Sequence, residues 1–350
     1  MSVSSTRDIL APIAPETQLR VVRGARHPVA GFVARRLAAG LLTLLVVTIL
    51  IFLATNVLPG NAAEVVLGHN ATPARVHRLD QRLGVEHSVV HRYLSWLGGA
   101  LHGDFGRSAV AEAESRPNSA ISGTLGRPLR NSFELAALTT ILLIPLTLAL
   151  GALAGIFAGR KADHAISIPA LVMGGLPEFV TGTLLVWVFF SKLALLPPLA
   201  LVSPGESPLS NPEALVLPVL TLLAVAVGAG VRQVRAGMAE VLEQDYVLLA
   251  RLGGVSERRV LTRYALRNAL APSVQIIAQN LQYLVGGIIV VESVFAYPGI
   301  GTYLVNAVTS RDVIEVQAAA TVLAALYIAI NVIADLIVVL LVPRLRTGMS

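Results

Sequence analysis

Six apolar runs, at 37–58, 132–158, 165–191, 214–231, 272–295 and 317–342, constrain this chain more than any other feature. Each reaches or approaches the roughly 20 residues that a helix needs to cross a bilayer. Inside a bilayer a backbone without water must satisfy its own N–H and C=O groups, so an open chain of such runs can only be helical. The expected fold is an all-α integral membrane protein of six transmembrane helices. Composition agrees, since 55% of the 350 residues are hydrophobic and only 14% are charged, whereas soluble domains have about 25% charged residues.

Orientation follows from the basic residues, because short loops rich in Lys and Arg stay in the cytoplasm. With the N-terminus inside, the inner segments hold Arg7, Arg20, Arg23, Arg26, Arg35 and Arg36. They then hold Arg160 and Lys161, followed by Arg232, Arg235, Arg251, Arg258, Arg259, Arg263 and Arg267, and finally Arg344 and Arg346. The short outer loops keep only Lys192 and Arg311. The long loop at 59–130 carries eight arginines, but loops above about 60 residues escape the rule. Both termini are therefore expected in the cytoplasm. The net charge of +6 is explained by anionic lipid headgroups as partner and requires no nucleic acid.

Residues 1–33 are expected to form a disordered cytoplasmic tail, interrupted by Pro12, Pro15 and Pro28, ahead of a retained first helix rather than a cleaved signal. The chain then divides into 34–130, one helix plus a folded external loop, 131–343, a five-helix unit, and a short tail at 344–350. Helical stretches are expected in the loop at 74–83 and 86–97, followed by a glycine-rich turn at 98–106. The absence of cysteine excludes disulfides and thiolate metal sites.

Between the fourth and fifth runs lies a basic segment, 243–272. Val241 to Leu252 reads as one helix and Gly253-Gly254 as its stop, because glycine takes the left-handed conformation freely. Ser256 reads as the N-cap of a second helix ending near Leu270. Arg259, Arg263 and Arg267 recur every four residues and should share a face. The result is a protruding elbow.

A Walker-type nucleotide site needs G-x-x-x-x-G-K-[ST]. The only lysines, Lys161 and Lys192, follow Arg160 and Ser191. An ATP-driven version of this protein must borrow its ATPase. Carboxylates at Glu134, Glu178, Glu292 and Asp335 lie in or beside apolar runs, where a charge at mid-depth costs about 2.5–3.5 kcal/mol. Glu134 and Glu292 are expected to be hydrated at helix ends, Asp335 to pair with a base, and Glu178, next to the helix-breaking Pro177, to line a polar pathway. Histidines 69, 77, 87, 91 and 102 crowd the loop, and His87 with His91 has metal-binding spacing. No acidic residue completes a motif, so a solvated polar face is expected and no metal. With no G-x-S-x-G motif, catalysis is not expected.

The elbow resembles the EAA loop of permease subunits of bacterial ABC importers, in the B-type form of the peptide and nickel uptake family. Ala250 and Gly254 keep the motif's spacing, while Leu248, Leu249 and Arg267 depart from its general form. Glu292 to Gly301 is similar to the family's E-x-x-F-x-x-P-G-x-G signature, and Pro343-Arg344-Leu345-Arg346 to its C-terminal ending. In the loop, Arg92-Tyr93-x-x-Trp96-Leu97 and Gly103-Asp104-x-Gly106-x-Ser108 match as well. The matches run in order over about 34–346.

This resemblance implies a type I ABC importer transmembrane domain in the bacterial cell membrane. Its implied partners are a second homologous permease, two cytoplasmic ATPase subunits or one two-domain ATPase, and an extracytoplasmic substrate-binding protein. ATP and Mg²⁺ would belong to the ATPases, with no cofactor in this chain. Coupling to the ATPase is implied for Asp245, Tyr246, Ala250, Arg251, Gly254, Ser256 and Glu257. Pathway or outer-gate roles fall to Glu178, Glu292, Pro298, Gly299 and Gly301, although the last three could form only a turn. The implied cargo is a di- or oligopeptide. Nickel or another small solute is one alternative, and an ion-coupled secondary transporter is the rival class.

Overall fold

A computed structural model describes residues 28–57, 66–68, 71–83, 87–116, 119–203 and 205–341. Its helices are α1 Pro28–Val57, α2 Pro73–Leu83, α3 Val89–Leu101, α4 Ala109–Ala113, α5 Ile121–Ile156, α6 Lys161–Gly175 and α7 Glu178–Val186. They continue with α8 Pro212–Leu242, α9 Asp245–Leu252, α10 Glu257–Arg259, α11 Leu266–Val294, α12 Ile300–Thr309 and α13 Val313–Leu341. No strand occurs among the described residues.

Helix α8 is the centre of the bundle and packs on α5, α6, α7 and α11. Lipid tails are as apolar as leucine, so membrane helices associate through close packing of small residues. Gly228 on α8 meets Gly174 on α6 so closely that a Cβ at 228 would lie 2.5 Å from the Gly174 nitrogen. Leu217, Leu222, Val231, Leu284, Val291 and Phe295 fill the core around that crossing. At the periphery α1 packs on α13 and leaves Leu41, Leu42 and Leu50 exposed, as a lipid-facing helix should.

Among the described residues five helices are long and apolar enough to span, and a sixth span exists if α6 and α7, with its continuation to Lys192, count as one. The run at 165–191, expected as a single helix, is bent by 110° between them. Pro177 causes the break: it disfavours helical geometry in the preceding residue, and Leu176 is extended at φ −91°, ψ 137°. Other boundaries shift too. Helix α1 starts at Pro28, inside the stretch expected as tail, while 1–27 and the ending at 343–346 lie outside the described residues.

Three carboxylates in or beside the spans are ion-paired. Asp335 bonds Arg36 of α1. Glu134 is not left to water, because it accepts from Arg130 at 2.9 Å and from the Ser207 hydroxyl at 2.7 Å. Asp163, unremarked in the sequence, is buried and accepts from Arg235 Nε and Nη2 at 2.5 Å, Gly159 N at 2.8 Å and Ser167 Oγ at 2.8 Å. Arg235 is a third exposed, so neutralising Asp163 costs mainly the charge-assisted hydrogen bonds, about 1.5–3 kcal/mol. Asp163→Asn is expected to lower the thermal midpoint of the purified protein clearly. An unchanged midpoint contradicts this account of the α6–α8 contact.

Candidate functional site: the elbow, the capped helix and the polar stripe

The elbow begins where Gln244 turns extended, at φ −70°, ψ 144°, and ends α8. Val241 therefore belongs to the long α8, and the elbow helix α9 is shorter than the sequence suggested. Its C-terminus is a Schellman turn: Val255 N donates to Ala250 O at 3.1 Å and Gly254 N to Arg251 O at 3.0 Å. Gly254 supplies the left-handed residue at φ +74°. Across this corner Arg251 holds Glu257 with two bonds, at 2.8 and 3.2 Å. That hydrogen bonding lowers the Glu257 pKa and raises that of Arg251.

One side of α9 anchors it. Val247 is fully buried, and the Tyr246 hydroxyl accepts from Asn268 Nδ2 at 3.0 Å. Its other side presents Leu248, Leu249 and Leu252, which are 54%, 67% and 76% exposed. The elbow thus gathers Asp245, Tyr246, Ala250, Arg251, Gly254, Ser256 and Glu257, and its outward face is the leucines. Leu248 and Leu249, which depart from the motif's general form, join Leu252 on this face at i, i+1, i+4 spacing. Ser256 holds the N-cap place, yet its hydroxyl makes no capping bond.

The second arm differs from expectation. After α10 the chain makes a π-helical turn, Val260–Ala265, and continues without a stop near Leu270 through α11 to Val294. Arg259, Arg263 and Arg267 are all exposed along this arm, and Arg259 and Arg263 line a cavity of about 330 Å³ with Ser256, Arg258 and Thr262.

At the opposite end, the E-x-x-F-x-x-P-G-x-G stretch folds as a capped helix. Ala296, at φ +49°, breaks the chain away from α11, and α12 starts at Ile300 with its first N–H groups lacking helical acceptors. Ser132 Oγ on α5 accepts from Ile300 N at 2.8 Å, and Glu292 Oε2 accepts from Gly301 N at 2.7 Å. Ser132 in turn donates to Glu292 Oε1 at 2.5 Å. Asn131 Nδ2 donates to Pro298 O at 2.8 Å, and the Tyr297 hydroxyl donates to Asn131 O at 2.6 Å. The carboxylate occupies the space beside Gly299, where a Cβ would fall 2.0 Å from Glu292 Oε1. Glu292, expected to be hydrated, is fully buried.

Glu178 lies elsewhere, at the first position of α7 beyond the break. It is half-buried and packs over Gly287, where a Cβ would lie 3.0 Å from Oε1. Among the described residues no cation is ion-paired with it. Tyr283 shares the uncovered face of α11 with Gln279, Gly286, Val290 and Ser293. A polar stripe thus runs along a membrane span without cover among the described residues.

The loop is seated by Asp312, a residue with no place among the expected sites. Its carboxylate accepts from Ser108 Oγ at 2.6 Å, Val110 N at 3.0 Å and Glu315 N at 3.1 Å. Asp312-x-x-Glu315 ahead of an apolar run is a capping signature that could have revealed it. The His87 and His91 rings stand 4.9 Å apart, and no group of three metal-ligating side chains forms among the described residues.

An uncovered polar stripe on a span and an apolar-faced elbow beyond the bundle define a membrane protein that works as one subunit of a transport assembly. Residues 147–347 match the family described as binding-protein-dependent transport system inner membrane component, residues 29–119 match its N-terminal region, and the chain belongs to this family. It is a permease subunit of an ABC transporter, in a family that works with an ATPase and a substrate-binding protein. A putative peptide transport system permease protein of Brucella abortus (strain 2308) is 33% identical over 314 residues, covering 90% of this chain and 98% of that protein. A probable peptide ABC transporter permease protein of Sinorhizobium fredii is 30% identical, over 90% of this chain and 99% of its own length. The metal-staphylopine import system permease protein of Staphylococcus aureus is 29% identical, over 91% and 98%.

Proposed function

We propose that this chain forms half of the translocation pathway of an ATP-driven importer of di- and oligopeptides. It would pair with a second permease and stand on two ATPase subunits or one two-domain ATPase, which hold the ATP and Mg²⁺. The placement of arginines supports a cytoplasmic elbow and cytoplasmic termini. The observation that carries the reading is the elbow itself, a short helix locked at both ends with three leucines bared to water. Such a face suits a helix-in-groove contact. In a chain without a lysine in a phosphate-binding motif, the groove would belong to the ATPase. ATP-driven closure of the ATPases would move the elbows, and the spans would follow as rigid bodies and open the cavity outward.

The polar stripe with Glu178 is the part of this chain suited to line the pathway, facing the companion permease. Glu292, Pro298, Gly299 and Gly301 would act at the outer gate indirectly, by making α11, α12 and α5 move together. Peptide names among the relatives support the cargo class, and the staphylopine relative keeps small metal chelates as the second reading. The test is reconstitution of the co-purified complex with its binding protein in liposomes. Peptide uptake that requires ATP and a binding protein is the expected result, and uptake by this chain alone refutes the proposal. Glu178→Gln should reduce uptake of lysine-rich peptides several-fold more than that of acidic ones, scored against the binding protein's affinity for each. An equal fall for both would make Glu178 only a structural residue.

A further inference from the structure

Helix α3 belongs to the external loop by sequence, yet two of its faces are apolar. Tyr93 and Trp96 face α1: their rings lie 5.3 and 6.2 Å from that of Phe52, and the hydroxyls of Tyr93 and Thr48 are 3.0 Å apart. A second stripe, Val90, Leu94, Leu97 and Leu101, follows the i, i+4, i+7, i+11 spacing of one helix face. Among the described residues it is left open, with Val90, Leu94 and Leu101 at 68%, 60% and 78% exposure. His91 and Ser95 occupy the arc between these faces.

The depth of α3 says what covers the open stripe. Thr48 and Phe52 belong to the membrane span Gly31–Thr55. Thr48 lies about two turns, roughly 10 Å, from the end of that span. A helix packed against these two residues lies at the level of the acyl chains, below the water boundary. Its support, α1, is the least covered span of the bundle, with 11% of its apolar window buried, and Leu45, Ile49 and Leu53 on the same turns are open as well. The stripe therefore continues a lipid-facing surface.

We infer that α3 is an interfacial helix embedded in the outer leaflet, with Val90, Leu94, Leu97 and Leu101 against lipid acyl chains. It would hold the external loop at the membrane surface beside the pathway mouth. This chain has no cysteine, so each label site is unique once the partner subunits' own cysteines are replaced. Single cysteines at Val90, Leu94, Leu101 and His91 are nitroxide-labelled in the full complex in phosphatidylethanolamine/phosphatidylglycerol nanodiscs, and collision with oxygen and with a water-soluble nickel chelate is measured. Oxygen should dominate at the three apolar positions and nickel at His91. Nickel dominance at Leu94 and Leu101 overturns the inference in favour of a water-facing helix. Shielding from both reagents overturns it in favour of a protein partner.

Discussion

Gly299→Ala is expected to prevent this permease from accumulating as a stable membrane complex, although it adds a single methyl group. The methyl would lie 2.0 Å from Oε1 and 2.1 Å from Cδ of Glu292, and the carboxyl is the group least able to yield. It is buried, fixed by Ser132, and caps the Gly301 N–H. Overpacking alone costs about 1–3 kcal/mol, and each buried polar group orphaned by a displaced carboxylate adds about 1–3 kcal/mol. A domain has only about 5–15 kcal/mol in hand, so the sum is a large fraction of the total. Permease abundance in membranes and the thermal midpoint of the purified complex measure the effect. Pro298→Ala, which keeps the carbonyl that accepts from Asn131, should be mild. Normal abundance and an unchanged midpoint for Gly299→Ala would show that the cap is not what fixes α12.

This lock also shows where sequence reading runs out. Glu292 was legible as a costly carboxylate, but Ser132, which neutralises the cost, is 160 residues away, and no local pattern joins them. Spans were legible because apolar length is a property of a window; the 110° bend was not, since both arms of 165–191 satisfy the same window. Pro177 was noticed as a helix breaker, but how far the chain turns depends on α8 and α11, which pack against α7. Within the elbow, the Schellman turn at Gly254 needs only residues 250–255 and could be read directly. Its start could not, because Val241 is as good a residue for α8 as for α9, and the π turn at 260–265 has no sequence signature that spacing would reveal. Asp312 differs, because its capping pattern with Glu315 lies in four consecutive residues and is legible locally.

Two changes at the elbow should uncouple transport and leave the membrane bundle intact. Gly254→Val places a β-branched residue at φ +74°, where an L side chain costs roughly 1–2 kcal/mol. No atom lies within 4 Å of a Cβ there, so the cost falls on the angle of the corner and not on the core. Leu249→Asp with Leu252→Asp keeps the corner and removes the exposed apolar face. Interface anchors are typically worth about 2 kcal/mol or more, close to a 30-fold loss of affinity, and a carboxylate forced into an apolar groove adds desolvation. The double variant is therefore expected to purify at wild-type abundance and midpoint, to retain little ATPase subunit, and to show uptake reduced by more than an order of magnitude. Gly254→Val should retain ATPase subunits better but transport fewer peptides per ATP, because a bent lever still docks while transmitting its stroke poorly. Glu257→Gln opens the Arg251 clamp on an exposed surface, where pairs contribute about 0–1 kcal/mol, and should do least. That ranking separates a mechanical elbow from a passive loop: were the leucines merely facing solvent, aspartates at 249 and 252 would leave uptake unaltered.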